Sequence, residues 1–302
     1  MGDGSDRLEL KQHTGIVVMR IGVVAPSGIF DRQRLDDSMA LVASWGHELV
    51  SAPHLMARDR YTAGTVVERG ADLAWALTAP GIDAVWFARG GFGTVHLLGD
   101  MPWDDTDGRP VVGFSDATAL FCAMATHGVG GGLHGPVLHS LCDHVDEASR
   151  ASVRLALEGG PLHLDMVQVA GPIGRVEGPV VGGNLCTLAS LTGTPWALSS
   201  DGAILVLEDV GEPPYKIDRL VTQLRLSGDL SGVKAIVLGD FTSCKPPKDA
   251  DWSLREVLVE LMEPLAVPIW VDAPVGHGNR NRSWYHGGRG VLCDGGLRVE
   301  RS

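Results

Sequence analysis

The chain is short of the features that would place it in a specialised class. Its five cysteines, Cys122, Cys142, Cys186, Cys244 and Cys293, include no CxxC pair, and an odd count closes no disulfide framework. They are expected to be reduced packing residues of a cytoplasmic protein. Basic residues are in the minority, 25 Lys and Arg against 37 Asp and Glu, for a formal net charge of −12. No segment gathers them into a patch, which argues against nucleic acid as a partner. No window approaches the roughly 18 apolar residues of a membrane span. The opening "MGDGSDRLELKQHTG" has acids but no apolar run, so it does not read as a secretory signal. Residues 1–15 are expected to form a disordered extension, with folded structure starting near Ile16. No internal repeat or low-complexity tract is present.

What the chain does have is glycine and proline, 40 and 17 in 302 residues, and a regular alternation of patterns. "IVVMRIGVV" is an apolar β-branched run ending in Ala25-Pro26-Ser27-Gly28. "DRQRLDDSMALVASWG" then places apolar residues at helical spacing, and a strand resumes over Glu48–Ser51. "TVVERGADLAWALTAPG" is an amphipathic helix stopped by Pro80-Gly81, and "DAVWFARGGFG" is a buried strand running into glycines. "RPVVGFSDATALFCAMATHG" repeats strand, turn and helix. Strands alternating with helices imply parallel pairing with helices on both faces. Residues 16–150 therefore read as a doubly wound, parallel-sheet α/β domain. After a linker around Asp146–Gly160, residues 160–302 read as a smaller, mixed α+β domain. Short strands with glycine turns over "EGGPLHLDM…IGRVEGPVVGGNL" open it; its further strands are "GAILVLEDVGE", "VKAIVLGDF" and a last long one over "VPIWVDAPVGHG", and its helices are "PPYKIDRLVTQLRLSG" and "LREVLVELMEPL".

In α/β sheets ligands bind beyond the carboxyl ends of strands, and three chemically capable residues fall there. Ser115 sits at a strand–helix corner with Gly113 two residues before it and Ala117 two after. Small flanks let strand and helix approach closely while the hydroxyl is held at the tip. An N-cap serine fits the same corner. Glu208 ends the apolar "AILVLE" run, so a partly buried carboxylate there needs a partner. Asp209 points to the opposite face, and Glu212 is a nearby rival. His277 lies between Gly276 and Gly278 after the last strand, while His134 and His96 share its local context. Together they make a Ser…Glu…His order that suits nucleophile, orienting acid and general base. The amide of Asp116, at a helix N-terminus, would face an oxyanion. "RGGFG", residues 89–93, would supply the second donor.

The segments "IGVVAPSG", "TAGTVVERGADLAWAL", "IDAVWFARGGFGTVHLL", "GFSDATAL", "LHGPV", "VGGNLCTLASLTGTPW", "LEDVGEPPYKIDRLVTQL" and "APVGHG" occur in one order over nearly everything after residue 20. In this the chain resembles the LD-carboxypeptidases, the serine peptidase family that also contains the microcin C self-immunity peptidase. The resemblance implies an N-terminal α/β domain and a smaller C-terminal domain with the catalytic site between them. It implies Ser115 as nucleophile, Glu208 rather than Glu212 as acid, and His277 as base. The oxyanion donors would be the amides of Asp116 and Gly91, with Gly90 as the fallback. Arg89 is placed to receive a substrate carboxylate or to brace the glycine loop; Asn184 lines the cleft or closes the "VGGNL" turn.

The implied reaction removes D-alanine from murein tetrapeptides in the cytoplasm, on a small peptide substrate, by a homodimer that uses no metal and no cofactor. One departure from the family is "NRNRSWYHGGRG", within residues 279–290. It sets Trp284, Tyr285 and His286 where a short apolar turn is usual. Aromatic residues there could stack on the ring of a nucleotide–peptide antibiotic, the substrate type of the immunity branch. A non-catalytic binding homologue is the reading of another class, although a binder has no need of all three triad residues.

Overall fold

The computed structural model describes residues 18–302; the expected extension at 1–15 lies outside them. The first sheet grows from β1 (Arg20–Val24), which runs beside both β2 (Glu48–Ser51) and β3 (Ala84–Phe87) in parallel. Between β1 and β2 lies α1 (Arg32–Ser44), capped by the Asp31 carboxylate on the Arg34 amide. α2 (Val66–Thr78) starts with a reciprocal capping box between Thr65 and Glu68. β4 (Val111–Gly113) pairs with β3, α3 (Ala117–Thr126) follows it directly, and β5 (Gly132–His134) pairs with β4, again in parallel.

A short α4 (Leu138–Leu141) leads into α5 (Glu147–Leu157). The residues expected to form an interdomain linker are thus largely helical. Asp146 caps α5 through the Ser149 amide, and its own amide bonds the Asn279 carbonyl. Val153, Ala156 and Leu157 bury in a core and, with the bond to Asn279, make the segment a docked element rather than a tether.

The second sheet is mixed. β6 (Leu162–Leu164) and β7 (Val167–Ala170) form its two edges, and β8 (Val176–Asn184) enters its centre. α6 (Leu185–Leu191), β9 (Ile204–Val210), α7 (Pro214–Ser227), β10 (Ala235–Thr242), α8 (Leu254–Met262) and β11 (Ile269–Val271) follow in alternation, with β8 to β11 parallel neighbours. β11 is three residues rather than a long strand, because Asp272 turns into the left-handed region at φ 64°.

β12 (Trp284–Tyr285) then returns to the first sheet, antiparallel to β5, so that sheet runs β12-β5-β4-β3-β1-β2. A hairpin of β13 (Arg289–Cys293) and β14 (Gly296–Glu300) completes the second sheet beside β8. The sequence reading did not anticipate this crossing or the hairpin.

Two apolar cores hold the sheets together, and each draws on both. Alternate residues of one strand divide between them, as a period of two requires. Val85 and Phe87 join Leu205 and Leu207 in one core, while Ala84 and Trp86 join Ile204 and Val206 in the other. At the junction, the Thr118 hydroxyl on α3 accepts the Asn184 amide at the end of β8. That bond ties the Ser115 corner to the strand neighbouring the one that carries Glu208.

Candidate active site

Ser115 sits at φ 62°, a left-handed conformation that costs a non-glycine residue about 1–3 kcal/mol and persists only where the surroundings impose it. Two glycines make room for it. A Cβ on Gly113 would lie 2.7 Å from that of Ala117, and one on Gly90 would lie 2.9 Å from the Ser115 Cβ. The strand, the helix and the glycine loop therefore converge on the hydroxyl at distances that leave no space for side chains. Asp116 is the N-cap of α3, yet its carboxylate makes no capping bond there. A plain capping role does not describe this corner.

Across the junction, Glu208 is fully buried near the end of β9, and its Oε2 lies 2.7 Å from Nδ1 of His277. Burial alone would lower the His277 pKa, but the charge and hydrogen bond of Glu208, with a contribution from Asp209, leave it above its ordinary value. For Glu208, burial pushes the carboxyl up. The charge and hydrogen bond of His277, helped by His134 and Asn184, outweigh that and hold it below the usual carboxylate range. The pair thus favours carboxylate beside imidazolium. With Nδ1 committed to Glu208, Nε2 is the ring nitrogen left for proton transfer.

Ser115 and His277 line one cavity of about 430 Å³, together with Arg89, Gly90, Gly91 and Phe114. The Phe114 and His277 rings pack at 4.7 Å between centroids. Among the described residues, neither the Asp116 amide nor the Gly91 amide is donated to another group, so both are free to face a ligand. Arg89 is exposed on the cavity wall and donates Nη1 to the Ile29 carbonyl.

The other candidates fall elsewhere. Asn184 is buried and off the cavity wall: its Oδ1 caps α6 through the Thr187 amide, and its Nδ2 donates to Asp209. Asp209 is raised to about 6, mainly by burial. Glu212 pairs with Lys216 at 2.9 Å. His134 is fully buried between Phe114 and Trp284, and desolvation lowers it to about 4, so it stays neutral and out of substrate reach. His96 is exposed, with its ring edge-on to Phe92.

The expectation for Trp284, Tyr285 and His286 is overturned. They are 0%, 5% and 8% exposed, because Trp284 and Tyr285 pair with β5 as the edge strand of the first sheet, and none of the three lines the Ser115 cavity. The cavity instead has a wall from Arg34, His139, Ser140 and His144, with the His144 ring 3.0 Å from the His277 carbonyl. No motif marked these four. They arrive from α1 and the chain around α4, whose approach to the site is a tertiary fact. Among the described residues, no group of three or more His, Cys, Asp or Glu side chains is placed to share a metal ion, and no helix is long and apolar enough to cross a membrane.

Fold and site together define an α/β protein in which a serine following a strand of one sheet and a carboxylate-paired imidazole following a strand of the other line one cavity. More narrowly, the chain belongs to the LD-carboxypeptidase family: residues 21–135 match the family's N-terminal domain and residues 177–292 its C-terminal domain. A murein tetrapeptide carboxypeptidase of Pseudomonas aeruginosa is 38% identical over 292 residues, covering 92% of this chain and 94% of that one. The crystal structure of a muramoyltetrapeptide carboxypeptidase from Oxalobacter formigenes superposes with a TM-score of 0.82 at 28% identity, over 94% of this chain and 98% of the other. The microcin C7 self-immunity protein of Escherichia coli is 26% identical over 282 residues, 81% of each chain.

Proposed function

We propose that this chain is a serine-type LD-carboxypeptidase that releases D-alanine from murein tetrapeptides. The observation that carries the reading is the Glu208–His277 couple, 2.7 Å apart, whose imidazole lines the same cavity as the strained Ser115. Support comes from the 38% identity to the Pseudomonas aeruginosa enzyme.

In the proposed mechanism the Ser115 hydroxyl attacks the carbonyl that joins the L-centre to D-alanine, and His277 Nε2 takes its proton. The amides of Asp116 and Gly91 hold the oxyanion. The protonated ring then donates to the leaving amine, and D-alanine departs. Water, deprotonated at the same nitrogen, hydrolyses the ester on Ser115. Glu208 fixes the tautomer and stabilises the imidazolium throughout. Arg89 is assigned the terminal carboxylate of the substrate. The proposed setting is the cytoplasm and the proposed assembly a homodimer.

Hydrolysis of a peptide–nucleotide antibiotic is the second reading, favoured by the likeness to the microcin C7 self-immunity protein. The aromatic residues that suggested a base-stacking platform are buried, which weakens it. The test is to offer purified protein a murein tetrapeptide and an aminoacyl sulfamoyl nucleoside in parallel, measuring D-alanine release and cleavage of the acyl bond. Faster turnover of the tetrapeptide is expected. Turnover of the nucleoside alone would transfer the assignment to the immunity type, and turnover of neither would remove both.

A further inference from the structure

A second set of buried polar groups lies behind the candidate nucleophile and is not used by the proposed chemistry. Asp116 is 3% exposed, and its Oδ2 accepts two bonds, from the Ser27 hydroxyl at 2.6 Å and from the Thr94 amide at 2.9 Å. Ser27 and Thr94 are fully buried, and their hydroxyls lie 3.0 Å apart. Ser27 belongs to the loop after β1, Thr94 to the glycine loop after β3, and Asp116 to the corner after β4. One carboxylate oxygen therefore joins three strand-end loops. Backbone bonds continue the tie, since the Gly28 amide donates to the Gly90 carbonyl at 3.1 Å and the Ala63 amide to the Ser27 carbonyl at 3.0 Å.

Arg69 on α2, also 3% exposed, closes the set from the other side. Its Nη1 donates to the carbonyls of Pro26 and Gly93, the latter at 2.9 Å, and its Nε to the Gly64 carbonyl at 3.1 Å. Burial pulls the Arg69 pKa down and the Asp116 charge is the first influence pulling it back, so the guanidinium and the carboxylate sense each other within the same desolvated region. A buried cation and anion without such partners would be strongly unfavourable. Here the Gly93 contact is made to the glycine loop that carries a candidate oxyanion donor, and the Pro26 contact to the loop of Ser27, which bonds Asp116.

We infer that the Asp116 side chain, braced by Arg69, is a positioning device that fixes the spacing between the Gly91 and Asp116 amides and so preorganises the oxyanion site. The inference rests on the LD-carboxypeptidase reading for its chemical meaning. Asp116 thus has two separable parts: its amide faces substrate, and its carboxylate clamps the glycine loop that holds the other donor. Fixed dipoles act on a transition state without reorganising, so slack in this clamp lowers the rate of acyl transfer more than substrate affinity.

The test compares Asp116→Ala, Asp116→Asn and Ser27→Ala with wild type. Asp116→Ala removes the shared acceptor and is expected to lower kcat by at least about 10-fold with KM changed less than about threefold, since deleting one oxyanion donor outright costs roughly 10²–10³-fold. Asp116→Asn keeps an oxygen in place and should recover most of that loss. Phosphonylation of Ser115 by a fluorophosphonate, which also needs the oxyanion site, should slow in parallel.

Hydrogen exchange of the Thr94 amide, which donates to Asp116, is read on the same samples without any substrate. It should quicken at least 10-fold in Asp116→Ala, with β9 and β10 unchanged. Should Asp116→Ala not fold, Ser27→Ala must show the same kcat and exchange changes at smaller size. Unchanged exchange at Thr94, or a loss carried by KM with kcat intact, overturns the clamp. Absence of wild-type tetrapeptide turnover would instead strike the proposed function, and the exchange measurement still judges the clamp alone.

Discussion

Replacing Glu208 by glutamine removes a charge and almost no volume. At an effective dielectric of about 20, opposite unit charges 2.7 Å apart attract by about 6 kcal/mol before desolvation is counted. Burying an ion costs several kcal/mol, but the His277 side chain retains 18% exposure, and the balance leaves its pKa raised. In Glu208→Gln the burial persists and the compensating charge is gone, so the His277 pKa should fall below the ordinary 6.5.

In wild type, kcat/KM should rise with pH along a limb centred above 6.5, as imidazolium becomes the free base. The variant's limb should move below 6.5, with kcat at the plateau reduced on the order of 10³–10⁴-fold through loss of the correct tautomer. Stability should respond as well. His277 has its folded pKa above its unfolded one, so its contribution is complete below about 6.5 and is lost as pH rises through the folded value. Glu208 has its folded pKa below the unfolded 4.5, so its contribution is present above about 4.5 and is lost as pH falls through the folded value. Glu208→Gln should remove the Glu208 edge and reverse that of His277: with its folded pKa below 6.5, the buried ring now loses stability as pH falls below about 6.5. The assay is D-alanine release from pH 5 to 9, with urea unfolding midpoints followed from pH 3 to 9. A variant with more than a tenth of wild-type kcat and an unmoved acidic limb would refute the coupling.

Further substitutions probe other parts of the account. Gly90→Ala would drive a Cβ to 2.9 Å from that of Ser115 and should cost at least about 10²-fold in kcat by displacing the hydroxyl, with circular dichroism unchanged; near-normal turnover would show that the corner has slack. Arg89→Ala should raise KM for the tetrapeptide roughly 10–10²-fold, the worth of a charged hydrogen bond, and a KM within twofold of wild type would take the terminal carboxylate away from Arg89. Trp284→Ala should lower stability by about 3–5 kcal/mol in urea unfolding, because the ring is fully buried against His134; a selective loss of nucleotide binding without destabilisation would revive the platform idea.

Local pattern carried strands β1 to β4 of the first sheet. Glu48–Ser51, the helix stopped before Pro80 and the Gly113–Ala117 corner depend on neighbours in sequence, and each is found where the alternation put it. Strand β9 shows its burial in an unbroken apolar run, which is why a carboxylate at its end stood out. What the sequence concealed depends on distant contacts. Trp284 and Tyr285 read as exposed aromatics because nothing near them indicates that they pair with Leu133 and His134 in the other sheet. Asp146–Gly160 reads as a linker, but Val153, Ala156 and Leu157 bury in a core and the Asp146 amide bonds Asn279, which makes it a docked helix. Asn184 was ambiguous for the same reason. Its side chain is spent on the α6 cap and on Asp209, a partner 25 residues further on. The buried Asp116–Ser27–Thr94 set had no sequence signal, since its members come from three separate loops.

The central claim is that Ser115 becomes acylated during turnover. Wild-type protein mixed with murein tetrapeptide, quenched in acid within milliseconds and digested, should yield the peptide containing Ser115 carrying the tripeptide acyl group that remains after loss of D-alanine. Ser115→Ala should yield no adduct and should lose at least about 10³-fold in kcat. D-alanine release by the Ser115→Ala variant at a near-wild-type rate, or an acyl group found on another residue, would contradict the account.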